Sequence, residues 1–538
     1  MRSLATYLVE ILEANGVDTV FGIPGVHTID LYRGLEGSGI RHVTPRHEQG
    51  AGFMADGYAR VTGKPGVCFI ITGPGMTNIV TAMGQAYGDS IPMLVISSVN
   101  SVGELGSGRG HLHELKDQSS LIREVSAFSH TILDVSEVEP VLTRAFALFA
   151  AGRPRPVHIE IPVGLLNTDA SSMPAARRFV LPGAPAPAPQ AVKEIATRLS
   201  AASRPLIVAG GGAIRAASAI QTLAERLGAP VVMTVNARGV VPGDHPLAVP
   251  LTGDCAAVTA LLDGSDAILA LGTEFGPTDF ADRLPRNGRL SGWLARVDLD
   301  AEQLMRGLQA DLPVLADAKH TATEVLEALP EREPRQAGAD LARAARQEVE
   351  GALNPVIAAG LQMLDTLAHD VPDAVMVGDS TQPVYAGCTA FGAPRPGSFF
   401  CSATGFGTLG YALPAAVGAA LGSRGRPVFG IIGDGGLQFT IGEMASATEA
   451  ATSIRLIVWN NSGYGEIKTY MINAGVAPVG VDTYTPNFEV LAPGFGWGYR
   501  KASSMAAFRA AISDPSPGNL VIEIDEASFV ASSAGKQL

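Results

Sequence analysis

The chain is most restricted by short runs that are apolar on nearly every residue: 67–71, 93–97, 206–209, 268–271, 374–377, 428–432 and 456–459. A strand with one wet face alternates apolar with polar residues. One that does not is covered on both faces, which in practice means a parallel sheet between layers of helix. Amphipathic or Ala-rich helical segments lie between the runs and supply the crossovers, so the expected fold class is α/β with parallel sheets. Residues 414–421 (PAAVGAAL) read as a close-packed helix, with Pro in its first turn and Ala and Gly permitting near contact with a sheet or a cofactor.

A chain of 538 residues is too long for one compact core. Two proline-rich stretches, 181–190 (LPGAPAPAPQ) and 329–335 (LPEREPR), interrupt the alternation and read as linkers. They predict three domains, at 1–180, 190–329 and 340–538, each of ordinary size.

The net charge of -13 excludes a basic nucleic-acid surface and an anionic-membrane surface. Cys68, Cys255, Cys388 and Cys401 lack both a metal-ligand spacing and a disulfide framework. The N-terminus has no apolar signal core, and no apolar run is long enough to span a bilayer. A cytoplasmic protein without membrane or nucleic-acid partners is expected.

In open parallel sheets ligands gather beyond the carboxyl ends of the strands. The run 428–432 ends in Gly433-Asp434-Gly435, and the run 456–459 ends in Asn460-Asn461-Ser462-Gly463, with a helical pattern over 440–450 between them. One β-α-β unit of this kind sets two polar loops side by side. Asp434 offers a carboxylate oxygen, Asn461 an amide oxygen and Gly463 a backbone carbonyl, the hard donors that Mg2+ prefers when a diphosphate completes its shell. Gly433 and Gly435 remove side chains where backbone N–H groups approach phosphate.

The spaced pair of Gly-Asp-Gly and Asn-Asn resembles the signature of thiamine-diphosphate enzymes, and the resemblance spans the chain. It implies a pyrimidine-binding N-terminal domain, a Rossmann-like central domain and a diphosphate-binding C-terminal domain, with thiamine diphosphate and Mg2+ as cofactors. Residues 46–60 (RHEQGAGFMADGYAR) closely resemble the segment bearing the family's catalytic glutamate, here Glu48, which bonds the pyrimidine N1′ so that the cofactor supplies its own base. The small apolar residues after Glu48 suggest a carboxyl group beside a buried ring. Residues 404–410 (TGFGTLG) are similar to the loop that bends the cofactor, with Leu409 as the wedge and the Gly407 carbonyl as acceptor of the 4′-amino group. Gln382 matches a position near the diphosphate. Gly25 and Val26 match a loop bordering the substrate, and His113 and Glu114 fall where relatives carry further active-site groups.

The resemblance is to the acetolactate-synthase-like superfamily. Over residues 17–75 it is strongest to the decarboxylases of 5-guanidino-2-oxopentanoate. It implies decarboxylation of a small-molecule 2-oxo acid to an aldehyde, in a homodimer or homotetramer whose sites lie between subunits. Glu466 is a natural partner for a guanidinium tail, or else a surface helix residue. The alternative chemistry is the carboligation of acetolactate synthases. FAD is doubtful, because Gly272-Thr273-Glu274-Phe275-Gly276-Pro277-Thr278-Asp279 stands in place of the flavin-associated Arg-Phe-Asp-Asp-Arg text. A nucleotide-dependent oxidoreductase would need Gly or Ala where Arg215 follows Gly210-Gly211-Gly212. A non-catalytic relative would have little need of Glu48, Asp434 and Asn461 together.

Overall fold

The computed structural model describes residues 2–330 and 336–534. The chain forms three six-stranded sheets in which every neighbouring pair is parallel. The first runs Arg41–Val43, Thr19–Gly22, Gly66–Ile70, Met93–Val99, Val157–Pro162, Phe128–Thr131 across the sheet. The third runs Phe399–Cys401, Val375–Gly378, Val428–Gly433, Ile454–Asn460, Leu520–Asp525, Gly498–Ala502. Between them in sequence lies the sheet that contains Pro205–Ala209 and Ala267–Leu271. Every apolar run singled out in the sequence is a strand or most of one, and Gly66–Ile70, Met93–Val99, Pro205–Ala209 and Ala267–Leu271 are buried throughout.

Strand order locates the crevices. In the first sheet the chain steps outward from Thr19–Gly22 to Arg41–Val43 and returns on the other side as Gly66–Ile70, so the order reverses between Thr19–Gly22 and Gly66–Ile70. The third sheet reverses in the same way between Val375–Gly378 and Val428–Gly433. At such a switch point the two following loops diverge and leave room for a ligand.

Helices Glu48–Thr62 and Ala412–Gly422 join the first and third sheets in one core that includes Phe53, Met54, Tyr411 and Ala416. Their backbones touch: a Cβ added at Gly57 would lie 2.0 Å from the Ala415 carbonyl oxygen, and one at Gly418 would lie 1.8 Å from that of Met54. The small residues of 414–421 therefore serve a close helix–helix contact as well as the packing on the third sheet that the sequence suggested, where a Cβ at Gly430 would lie 3.6 Å from Ala416 Cβ. Of the small residues after Glu48, Gly57 serves this contact, whereas Gly52 lies against Ala82 and Ile79.

Beside this seam lies a buried polar junction of all three sheets. Arg60 donates to Asp56 and Asp89, each at 2.6 Å, and to Asn236 at 3.1 Å. Asp89 also accepts from Gln85 and from Thr404, and Tyr411 donates to Asp56. Removing one member of such a buried set leaves an unmatched charge and costs about 3–5 kcal/mol.

The proline-rich residues 181–188 carry no regular element before helix Pro189–Ala201. Of the second proposed linker, 331–335 lie outside the described residues. The boundary placed at 340 falls inside helix Ala337–Ala352, whose Ala342, Ala345 and Val349 share a core with Leu206 and Val208 of the central sheet. By packing, that helix goes with the central sheet. Gly210 and Gly212 press against Gly272 and Thr273, so this glycine run closes a backbone contact. Among the described residues no helix is long and apolar enough to cross a membrane.

Candidate functional site

Glu48 opens helix Glu48–Thr62 near the first switch point. It is 9 % exposed, and its Oε2 accepts from Asn78 Nδ2 at 2.9 Å. A Cβ added at Gly75 would lie 3.3 Å from Glu48 Oε1, so the loop after Gly66–Ile70 comes up against the carboxylate. The two residues before Glu48 are held from the third sheet's side. Glu443 accepts the backbone N–H of Arg46 at 3.0 and 3.1 Å and that of His47 at 3.2 Å, and Ser446 donates to it at 2.7 Å. Gly50 leaves room for this carboxylate, since a Cβ there would stand 2.1 Å from Glu443 Oε1. Burial raises the Glu443 carboxyl above its ordinary value.

The turn Gly25–Thr28 lies on the same rim, with Gly25 packed on Ile71. Val26 is 56 % exposed. His113 comes up to the rim on a neighbouring loop, its ring centroid 5.1 Å from that of His27 in an edge-to-face contact. Glu114 does not point at the crevice. Its carboxylate accepts the N–H groups of Gly108, Gly110 and His111 at 2.6, 2.8 and 3.0 Å and the Ser107 hydroxyl at 2.9 Å. Those four donors hold it at about 2 despite desolvation, and it staples its own loop. Glu114, expected at the active site, gathers its own loop through the N–H groups of Gly108, Gly110 and His111. Gln118, fully inside, accepts from Thr72 at 2.9 Å and from the Gly73 N–H at 3.0 Å, and donates to Glu160 at 2.9 Å. It shapes the Thr72–Gly75 loop from behind.

At the other switch point Asp434 is fully buried at the end of Val428–Gly433. Its Oδ1 accepts the Asn461 N–H at 3.3 Å and its Oδ2 accepts from Thr485 at 2.7 Å. Asn461 Nδ2 donates to Glu526 at 3.3 Å, which leaves its Oδ1 for a cation. Gly463 has φ +149, and a Cβ there would strike the Val481 carbonyl oxygen at 2.3 Å. Gly435 lies under the Tyr464 ring, and Gly433 beside the Thr381 hydroxyl. Asp434, Asn461 and Gly463 thus come together as the sequence suggested, as oxygen donors on adjoining loops. Among the described residues no three His, Cys, Asp or Glu side chains group as metal ligands. A site that takes one carboxylate, one amide, one carbonyl and a diphosphate needs no such group.

Gln382, at the start of helix Gln382–Ala390, donates to Glu466 Oε2 at 2.7 Å, which draws together two residues that the sequence treated separately. The loop 404–410 carries left-handed Gly405, Gly407 and Gly410, with φ between +60 and +79. Gln85 grips it from the first sheet's side, donating to the Thr404 carbonyl at 3.0 Å. Leu409 is half-buried and Gly407 exposed. Asn78, Glu443, Thr381 and Thr485 were not foreseen: each acts through a partner distant in sequence, and local text carries no signal for that.

Three family models match in chain order. They are the N-terminal TPP binding domain of thiamine pyrophosphate enzymes over residues 2–121, the central domain over 192–329, and the C-terminal TPP binding domain over 379–524. A "probable 2-ketoarginine decarboxylase AruI" of Pseudomonas aeruginosa is 45 % identical over 506 residues, covering 93 % of this chain and 89 % of that protein. The acetolactate synthase isozyme 1 large subunit of Escherichia coli is 32 % identical, over 97 % of this chain and 94 % of its own length. A probable acetolactate synthase large subunit of Methanocaldococcus jannaschii is 29 % identical over 86 % and 81 %. With two glycine-lined crevices at two switch points, and three successive domain matches over them, the chain belongs to the thiamine pyrophosphate enzyme family.

Proposed function

We propose that the protein removes carbon dioxide from 5-guanidino-2-oxopentanoate, which is 2-ketoarginine, and releases the aldehyde, using thiamine diphosphate and Mg2+. The observation that carries this reading is the 45 % identity, over nearly the whole length, to a protein named a probable 2-ketoarginine decarboxylase. Bound thiamine diphosphate supplies a thiazolium that accepts the electron pair left behind by carbon dioxide. Asp434, Asn461 and the Gly463 carbonyl would hold the metal, and backbone at Gly433 and Gly435 the diphosphate. Glu48 would keep a proton shared with pyrimidine N1′. The Gly407 carbonyl would take the amino group, and Leu409 would hold the two rings apart.

Glu466 would receive the guanidinium. Gln382 donates a side-chain hydrogen bond to it, and a carboxylate beside the crevice is the group that a planar cationic fork recognises. Gly25, Val26 and His113 would border the reacting carbon.

The half-sites are surrounded by exposed apolar side chains: Val26, Ile29 and Leu112 on one, Phe439, Ile467, Tyr470 and Tyr484 on the other. Patches of this kind mark an interface. A homodimer or homotetramer that apposes Glu48 of one subunit to the Asp434 crevice of the next would cover them. The four cysteines are free thiols, in keeping with the cytoplasm.

The test is a panel of cationic, neutral and aromatic 2-oxo acids, assayed for carbon dioxide, aldehyde and ligated product, with light scattering on the same sample. Aldehyde from the guanidino acid at the highest kcat/KM supports the proposal. Acetolactate from pyruvate as the main product would instead favour the synthase reading that the E. coli similarity offers.

A further inference from the structure

We infer that Glu526 is a positioning residue that sets the metal affinity of the diphosphate crevice by fixing which end of the Asn461 amide faces the cation. The inference rests on the proposed reading of Asp434, Asn461 and the Gly463 carbonyl as metal ligands. It does not depend on which 2-oxo acid is consumed.

An asparagine side chain has two unlike ends, an accepting Oδ1 and a donating Nδ2. It serves as a ligand only with Oδ1 toward the metal, because the flipped amide would aim its positive hydrogens at a cation. Shape does not choose between the two, since the ends are nearly isosteric. A carboxylate does choose: it accepts and cannot donate, so it draws Nδ2 to itself and turns Oδ1 away.

Strands Ile454–Asn460 and Leu520–Asp525 are parallel neighbours that end level, with Trp459 opposite Ile524 and Asn460 opposite Asp525. The residues just past those ends therefore meet, and Glu526 comes up beside Asn461. Its Oε2 accepts from Asn461 Nδ2 at 3.3 Å and from the indole Nε1 of Trp459 at 2.5 Å. Trp459 is fully buried, and Phe529 packs edge-on against it with ring centroids 5.7 Å apart. Asp525 accepts the Ser528 N–H at 2.9 Å at the start of helix Glu526–Ala534. The carboxylate is thus held by its own helix and by a core tryptophan, independently of any ligand.

Asn460 shows the same device one position earlier. Glu523 Oε1 accepts from Asn460 Nδ2 at 2.8 Å, while Asn460 Oδ1, turned the other way, accepts the Ser462 N–H at 3.1 Å. The Tyr499 hydroxyl donates to the second oxygen of Glu523 at 2.7 Å. Two glutamates three residues apart therefore polarise two consecutive amides in the same sense. The Asn460 oxygen closes the turn, and the Asn461 oxygen is left for the crevice. Glu526 lies beyond residues 379–524 matched by the C-terminal TPP binding domain, so the family match gives it no role.

The test is calorimetric titration of Mg2+ into the full-length protein at saturating thiamine diphosphate. Glu526→Ala is expected to weaken Mg2+ binding about 10- to 100-fold, the usual loss when the group that orients a metal ligand is removed. Glu526→Gln, whose Oε1 can accept both bonds, should stay close to wild type; a loss as large as that of Glu526→Ala would assign the effect to charge and overturn the inference. The decisive comparison removes the asymmetry of the amide. In Asn461→Asp either oxygen can face the metal, so adding Glu526→Ala to that variant should cost no further affinity. A merely structural role would weaken binding equally in both backgrounds, and that result would also overturn the inference. Should Glu526→Ala fail to fold, Glu526→Leu, which fills the same space without an acceptor, replaces it in both comparisons. A wild-type protein that binds no Mg2+ with thiamine diphosphate would defeat this inference and the metal-site reading together. The expected affinities without aldehyde from the guanidino acid would uphold the inference and remove only the decarboxylase reading.

Discussion

Asn78 donates from Nδ2 to Oε2 of Glu48 at 2.9 Å, and that contact fixes which oxygen remains for a cofactor. With Oε2 engaged, Oε1 faces the Gly75 side, where the lack of a side chain lets that backbone approach the carboxylate closely. A carboxyl so placed can share a proton with a heterocyclic nitrogen, which an amide cannot do at the same geometry. Glu48→Gln is therefore expected to keep its melting temperature and to lose about 100-fold or more in turnover. Carbon dioxide release and thermal melting, measured on one preparation, check both halves. A wild-type rate would remove Glu48 from the chemistry.

Asp434 has two anchors, the Thr485 hydroxyl and the Asn461 N–H, that hold its carboxylate ready before any metal arrives. Binding to a preformed site stabilises the folded state by mass action, by about 2.7 kcal/mol at a ligand concentration 100 times Kd. Thiamine diphosphate with Mg2+ should raise the wild-type melting temperature, and EDTA should reverse the rise. Asp434→Asn keeps both anchors approximately in place but removes the anionic oxygen, so its melting temperature is expected to ignore both additions. A cofactor-dependent rise in that variant would show that the metal is held elsewhere.

Much of this was legible because it is local. An apolar run reports its own double burial, and a Gly-Asp-Gly turn after such a run reports its place at a sheet edge, so the three sheets and the adjoining polar loops of Asp434 and Asn461 could be read directly. Glu443 could not, because its meaning lies in the amides of Arg46 and His47, about 400 positions away. The Arg60 junction is hidden for the same reason: Asp56, Asp89, Asn236 and Tyr411 belong to three different sheets' surroundings. Glu114 shows the opposite error. A titratable residue in a His-rich loop reads as chemistry, yet three backbone N–H groups of that loop already claim it. Composition cannot tell a free carboxylate from an occupied one.

Behind the first crevice His158 is fully buried between Ser97 and Ser129, whose hydroxyls lie 2.9 and 2.7 Å from its ring nitrogens. Desolvation lowers its pKa from 6.5 to about 3, so the folded protein keeps it neutral where the unfolded chain would protonate it. The unfolded state then binds more protons below pH 6.5, and stability falls as the pH drops through that range. From pH 7 to pH 5 the loss from this one group is about 2 kcal/mol. His158→Gln, which cannot be protonated, should lower stability at pH 7 but flatten this part of the acid decline in urea denaturation. An unchanged pH slope would assign the decline to other groups.

Glu466 and Gln382 meet at 2.7 Å, so substituting each in turn separates the proposed substrate role of the first from the proposed cofactor role of the second. If the carboxylate holds a guanidinium, its loss removes a charge-assisted bond made in ground and transition states alike. Such a loss raises KM while kcat stays nearly constant. For Glu466→Ala the KM for 5-guanidino-2-oxopentanoate should rise about 10- to 100-fold, the loss of a charged hydrogen bond of about 1.5–3 kcal/mol, while that for a neutral 2-oxo acid of similar length should barely move. Gln382→Ala separates the two roles, because it frees the carboxylate without removing it: the guanidino substrate should still be preferred, and any defect should appear in cofactor affinity. Equal KM effects of Glu466→Ala on charged and neutral substrates would return Glu466 to an ordinary helix surface, and the substrate tail would have to be sought on the partner subunit's side of the crevice.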